Sequence, residues 1–348
     1  MAASEPKPGP LRVGIVGAGI RGRMYATIAS RLHNAETVGI CDTNADARRS
    51  AGESLGIPAF AGTAEMCKSA SPDAVIVATP DFAHLQPCLE AVEAGADLLI
   101  EKPLATSVSD ARTIAEAVAD SAVRAMLAFE NHWNPPLTAM KAAADAGEVG
   151  RFVSCNSQLD DRIDVPTEMN AWLGQSTVGW FLMSHTIELA GWIAGQKPVG
   201  VFASGGKNVL KSRGIDTYDF IHAVIEFDGG MVGSFSSCWV LPKSIPLIFQ
   251  FRHEMVGEAG SLRADFTDQM LHKATVAYEH PATIGVSMTG APVSPPAQML
   301  SHFVTEVLAG GPLPCGLDQG VLNVAAISAI HQSAESGKFV QLSSLLGK

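Results

Sequence analysis

The stretch Gly17-Ala18-Gly19-Ile20-Arg21-Gly22 constrains this chain more than any other, because of what stands on either side of it. Leu11–Val16 before it has the continuously apolar, β-branched look of a buried parallel strand, and Ile20–Leu32 after it has helical periodicity. Three glycines at this spacing between a strand and a helix each have a mechanical use. Gly17 permits the tight turn, Gly19 lets a backbone approach a pyrophosphate, and Gly22 lets the helix pack closely on the strand. The helix N-terminus adds N–H groups and a partial positive charge. The next strand-like run, Thr37–Cys41, ends at Asp42, 20 residues beyond Gly22, where a carboxylate meets the ribose diol of an adenosine. Gly17, Gly19, Ile20, Arg21, Gly22 and Asp42 are therefore candidate binding residues for a dinucleotide. A carboxylate at Asp42 repels a 2′-phosphate, so NAD is favoured over NADP. Arg48 and Arg49 read as a solvated helix face.

The same rhythm continues to about Leu127. Ala74–Ala78, Leu98–Ile100 and Arg124–Ala128 read as strands; Asn44–Leu55, Phe82–Ala94 and Val108–Ala119 read as helices, with Asn44 and Asp81 as N-caps. Repeated strand–helix–strand units give a parallel sheet with helices on both faces. After Gly150 the pattern changes. Arg151–Asp160 alternates, Ser176–Ala194 is a strongly apolar helix, and Val199–Ala203, Phe220–Phe227 and Met231–Val240 are longer strands, the last two joined by a turn at Asp228-Gly229-Gly230. The expected organisation is a loose arm over 1–10, an α/β dinucleotide-binding domain over 11–128, and an α+β domain with a large, mostly antiparallel sheet over 129–348 that binds substrate and forms oligomers.

A chain of 348 residues suits two cores. The net charge of −11 argues against nucleic acid or an anionic membrane surface as partner. No stretch is long enough to span a bilayer, and the arm lacks the apolar run of a signal peptide. The six scattered cysteines, without a C-x-x-C pair, read as buried free thiols of a cytoplasmic protein, with no metal site.

Ala78-Thr79-Pro80 and Ile100-Glu101-Lys102-Pro103 stand at carboxyl ends of parallel strands, where open α/β sheets bind ligands. There Lys102 becomes a credible proton acceptor, since burial and a cationic nicotinamide both lower a lysine pKa. These motifs, with His84 between them and Gly257-Glu258-Ala259-Gly260-Ser261-Leu262 further on, resemble the glucose–fructose oxidoreductase / inositol dehydrogenase (Gfo/Idh/MocA) family. The resemblance runs from about Leu11 to Leu342. It implies hydride transfer at a carbon of a sugar, sugar derivative or cyclitol, a catalytic lysine at Lys102, and homodimers or homotetramers built through the large sheet. It also adds Thr79, Pro80, His84, Glu101 and Lys102 to the cofactor-binding candidates.

The resemblance extends to the helix Trp180–Glu188, where the family commonly reads D-x-x-x-H-x-x-D. It implies that His185 exchanges a proton with the substrate. Phe181 stands where the family has its first aspartate, and Glu188 replaces the second. Positions four apart share a helix face, so a ring lies where a carboxylate would meet substrate. Asp160, Asp161 and Arg162 are candidates for hydroxyl recognition, Arg162 also for a carboxylate. Trp172 and Trp180 are candidates for stacking on a sugar ring, and Asn131-His132-Trp133 for lining the nicotinamide pocket. The substrate-side set is thus Lys102, Asp160, Arg162, Trp172, Phe181 and His185. Two other functions fit: a nicotinamide enzyme with no net redox change, or a non-catalytic NAD-binding regulator.

Overall fold

The structure is a computed structural model, which describes residues 9–268, 270–276, 278–280 and 293–347. Most of the expected N-terminal arm lies outside the described residues. The chain divides into two compact units, Met1–Trp133 with Ser287–Val321, and Asn134–Val286 with Leu322–Lys348.

In the first unit the order is β1 (Leu11–Val16), α1 (Ile20–Ala29), β2 (Ala35–Cys41), α2 (Ala45–Leu55), β3 (Ala59–Phe60), α3 (Thr63–Ala70), β4 (Ala74–Val77), α4 (Leu85–Glu93), β5 (Asp97–Ile100), α5 (Val108–Ala119) and β6 (Ala125–Leu127). The six strands are parallel, in the order β3-β2-β1-β4-β5-β6. The chain reverses direction across the sheet between β1 and β4, which places the ligand crevice at their carboxyl ends. β4 and β5 are buried along their whole length, as strands covered on both faces must be. Asn44 caps α2 by accepting from Asp46 N and Ala47 N, each at 3.0 Å. Asp81 is not a cap. It begins a 3₁₀ turn, Asp81–Ala83, and α4 starts only at Leu85.

The second unit contains α6 (Pro135–Asp145), β7 (Phe152–Arg162), α7 (Ser184–Ala194), β8 (Pro198–Gly206), β9 (Phe220–Phe227), β10 (Val232–Leu241), β11 (Phe249–Gly257), β12 (Ser261–Asp265) and the short pair β13 (Lys273–Ala274) and β14 (Tyr278–Glu279). The helix α8 (Pro295–Ala309) belongs to the first unit, and α9 (Leu317–Ser336) runs from the first unit into the second. β15 (Val340–Gln341) and α10 (Ser343–Leu346) end the chain. The large sheet has the order β12-β11-β7-β10-β9-β8-β15 and is antiparallel except where β10 pairs with β7. β9 and β10 form the expected hairpin, with Phe227 N donating to Met231 O at 2.9 Å and Gly230 at φ 87°.

The expected single boundary at 128/129 differs from this division, because α8 returns to the first unit. Arg124 accounts for it. Its guanidinium pairs with Asp97 at 2.6 Å and donates to the Val307 carbonyl at 3.0 Å, at the C-terminal end of α8. Cations are favoured at that end of a helix. Leu300, Phe303 and Val304 of α8 are fully buried. Among the described residues no helix is long and apolar enough to cross a membrane.

Candidate active site

The glycine-rich turn is held by backbone crowding. Gly17 has φ 100°, and a Cβ there would lie 2.5 Å from the Ala78 carbonyl oxygen. A Cβ at Gly22 would lie 1.8 Å from the Gly17 carbonyl oxygen, so the first turn of α1 rests directly on the loop. At Gly19 a Cβ would meet nothing within 4 Å. The cradle is therefore closed toward the protein and open outward, which fits a pyrophosphate lying over Gly19. Ile20 stands exposed beside it. Asp42 follows β2 and accepts from Ala18 N and from Asn44 N, both at 2.8 Å. The acid thus orders the loop from the position expected for ribose recognition.

Arg48 corrects the reading of a solvated face. It is half-buried and donates to the Asp42 carbonyl at 2.6 Å. Arg49 pairs with Asp46 on the exposed side.

Arg21 does not point at the phosphate cradle. Its guanidinium turns inward, to Glu101 at 2.6 Å and Glu130 at 2.5 Å, with Tyr25 Oη at 3.2 Å. Tyr25 also donates to Glu101 at 2.7 Å, and Lys102 N donates to the other Glu101 oxygen at 3.2 Å. Burial alone would raise the Glu101 carboxyl, but Arg21 beside it overrides this and holds it below the ordinary carboxylate range. Burial pushes the Tyr25 phenol well up. These partners are 80 and 109 positions from Arg21, so no local pattern announces them. Burial pulls the Lys102 ammonium below the usual lysine range, against the opposite pull of Glu101. Asp81, 3% exposed, adds negative charge near Lys102; its sequence pattern had suggested only a cap.

His84 is 1% exposed, too enclosed to contact a cofactor directly. Its Nδ1 lies 2.8 Å from the Pro103 carbonyl oxygen and its Nε2 3.2 Å from that of Thr79. The imidazole ties the loop after β4 to the loop after β5. Burial lowers its pKa, against the nearby Asp81 charge. Thr79 donates to the Ala83 carbonyl, and Pro80 opens the 3₁₀ turn. His132 lies against Cys315 Sγ at 3.2 Å and Trp133 donates to His302 at 3.1 Å, so both are engaged within the first unit.

In the second unit, strand alternation sorts the acidic residues. Asp160 is in register with Cys238, and shares the outward face of the sheet with Gln158 and His222. It accepts from Gln158 and from Cys238 N, and burial raises its carboxyl pKa. The other face, with Leu159 and Asp161, is the one that Trp239 and the Phe181 ring cover. Asp160 therefore lies on the face opposite Trp239 and Phe181, and Asp161 on the same face as they do. The period-two pattern of Ser157, Leu159 and Asp161 was the available signal. Arg162 is held by Asp164 through two bonds, at 2.9 and 2.6 Å, which engage its Nε and Nη2.

The expected helix Ser176–Ala194 begins instead with a wide π-type turn over Gly179–Met183, and α7 follows from Ser184. His185 is half-buried and Glu188 buried on α7. Phe181 sits between Trp172 and Trp239, with ring centroids 6.0 and 6.2 Å away. Trp180 is 9% exposed and stacks on His331 at 5.2 Å, so it is packing and not a sugar platform. His331 in turn contacts Thr177 Oγ1 at 2.6 Å.

Residues 11–129 match the family described as oxidoreductase family, NAD-binding Rossmann fold, and residues 137–263 match the GFO/IDH/MocA C-terminal domain. The NAD(+)-dependent scyllo-inositol 2-dehydrogenase of Bacillus subtilis is 23% identical over 347 residues, covering 95% of this chain and 96% of that protein. A myo-inositol dehydrogenase of Streptomyces leeuwenhoekii is 27% identical over 253 residues, covering 72% of this chain and 76% of that protein. A solved scyllo-inositol dehydrogenase of Lactobacillus casei, with bound NAD(H) and scyllo-inositol, superposes with TM-score 0.83 at 19% identity, covering 96% of this chain and 99% of that one.

Proposed function

The chain belongs to the GFO/IDH/MocA oxidoreductase family, with an NAD-binding Rossmann domain at its head, and we propose that it is an NAD(H)-dependent dehydrogenase or reductase acting at a hydroxyl or carbonyl carbon of a sugar, sugar derivative or cyclitol. The observation that carries this reading is Lys102, half-buried at the carboxyl end of β5 behind the Arg21–Glu101–Tyr25 cluster. Bound NAD supplies the acceptor for a hydride. Gly17, Gly19, Ile20 and Gly22 hold its pyrophosphate and Asp42 its ribose. Lys102 takes the hydroxyl proton, for which a depressed ammonium pKa is the requirement. His185 is the second proton-handling group, supported by the family resemblance of its helix. Asp161 and Trp172 bind substrate.

Two copies of the chain associate through the open face of the large sheet. Phe202, Val224 and Val232 are each more than 40% exposed there, and Phe202 and Val224 stand side by side in register.

The test of the catalytic reading is NADH absorbance over a panel of sugars, sugar acids, cyclitols and glycosides, with NAD and with NADP. NAD-dependent turnover of at least one polyol is expected, slowed about 100-fold or more by Lys102→Ala. NADH binding without turnover of any of them would overturn it.

A further inference from the structure

The segment that leads into His185 carries aromatic rings at Trp172 and Phe181. Phe181 lies one turn before His185 and is half-buried, as is Trp172, which meets it edge-on at 70°. Trp239 is fully buried behind Phe181 and fixed by its Nε1 donating to the Tyr218 carbonyl at 2.6 Å. Phe181 is therefore a braced ring, not a mobile one, and with Trp172 it forms a corner of two aromatic surfaces. Arg162 is engaged by Asp164 through its Nε and Nη2.

We propose that Trp172 and Phe181 form an apolar subsite beside His185 that takes the aglycone of an alkyl or aryl glycoside, so that the substrate is a glycoside and not a free cyclitol. The inference rests on the dehydrogenase reading above. A free cyclitol, with a hydroxyl on every ring carbon, carries no apolar group to fill the corner between these two rings. An aryl or alkyl group gains both area and ring contact. Asp161, on the sheet face shared with Trp239, supplies the polar side for the sugar hydroxyls.

The test is calorimetric titration of the NADH-saturated enzyme with phenyl β-glucoside, methyl β-glucoside and myo-inositol, which reads binding without turnover. The phenyl glucoside should bind about tenfold or more tighter than the methyl glucoside, the scale of one buried ring contact. Trp172→Ala should reduce that ratio to about threefold or less, with NADH affinity and Tm retained. Phe181→Leu, which keeps apolar volume against Trp239, should reduce it too if Phe181→Ala does not fold. Equal binding of the two glucosides, an unchanged ratio in Trp172→Ala, tighter binding of myo-inositol, or binding of none of the three would each overturn the subsite. Selective glucoside binding with no turnover would instead overturn the dehydrogenase reading and leave the subsite standing.

Discussion

Lys102 and Asp42 are the residues on which the chemistry turns, and each makes a separable prediction. Lys102 accepts a proton only when its ammonium has been lost, and burial lowers the pH at which that happens. The oxidation rate should therefore rise with pH through a value below the ordinary lysine range, then level. Lys102→Ala should lower kcat by about 100-fold or more and erase that limb, with NAD affinity little changed; a variant that raises only KM would make Lys102 a binding residue. At Asp42, loss of the carboxylate removes a ribose partner and the repulsion of a 2′-phosphate together. Asp42→Ala should weaken NAD about tenfold or more and narrow the gap to NADP, as read by calorimetry, since one charge-assisted bond carries about 1.5–3 kcal/mol. Comparable NAD and NADP affinities in the unaltered protein would sink this account.

The elements that depend on local pattern were legible, and those that depend on distant partners were not. β1, α5 and β9 have the bounds that periodicity suggests. α3 and the two-residue β3 escaped, because Thr63–Ala70 is short and only part of it is buried. Among site residues, Gly17, Gly22 and Lys102 could be placed from strand ends. Arg21 could not, since its carboxylates come from two other strand ends. Alternation alone splits Asp160 and Asp161 onto opposite faces of the sheet, whereas the pairing of Arg162 with Asp164, two residues away, has no periodic signal. The glycine turn offers an element-level test. Gly22→Ala drives a Cβ into the Gly17 carbonyl, so it should lower Tm and abolish NAD binding together. Gly19→Ala meets open space, so it should keep Tm and lose NAD affinity, because only the ligand would feel the methyl. Equal effects on both variants would mean that the pyrophosphate lies elsewhere. In β11, His253 is fully buried and its pKa is pushed down to about 3. The unfolded chain binds that proton near pH 6.5. Stability from the neutral ring is thus whole above about 6.5 and falls as pH drops toward 3. His253→Gln should flatten the dependence of unfolding free energy on pH across that window; an unchanged slope would assign acid lability to other groups.

At the scale of the molecule, the question is what covers the open side of the seven-stranded sheet. Its rows run across the strands in register, Phe202 beside Val224, Val224 beside Ser234, and Ser234 beside Asn156. Val224 and Phe202 are 45% and 46% exposed, with Val232 at 46% on the neighbouring strand. The opposite side of the same strands is sealed, with Ile221, Ile225 and Phe235 at 1% exposure or less. Strand geometry produces that two-sidedness, and only one side has its partner within the chain. A second copy is self-complementary to such a face about a two-fold axis, where each residue near the axis meets its own counterpart. A charge placed there is repelled by itself and leaves apolar area without a partner. Val224→Glu should therefore convert the protein to a monomer in sedimentation velocity at micromolar concentration. The variant should keep its circular dichroism and NAD affinity, because Val224 contributes little to the core of the monomer. The unaltered protein should show a Tm that rises with concentration, as association-linked stability requires, and Val224→Glu should remove that dependence. A wild-type chain that sediments as a monomer at tens of micromolar would leave this face without its second copy.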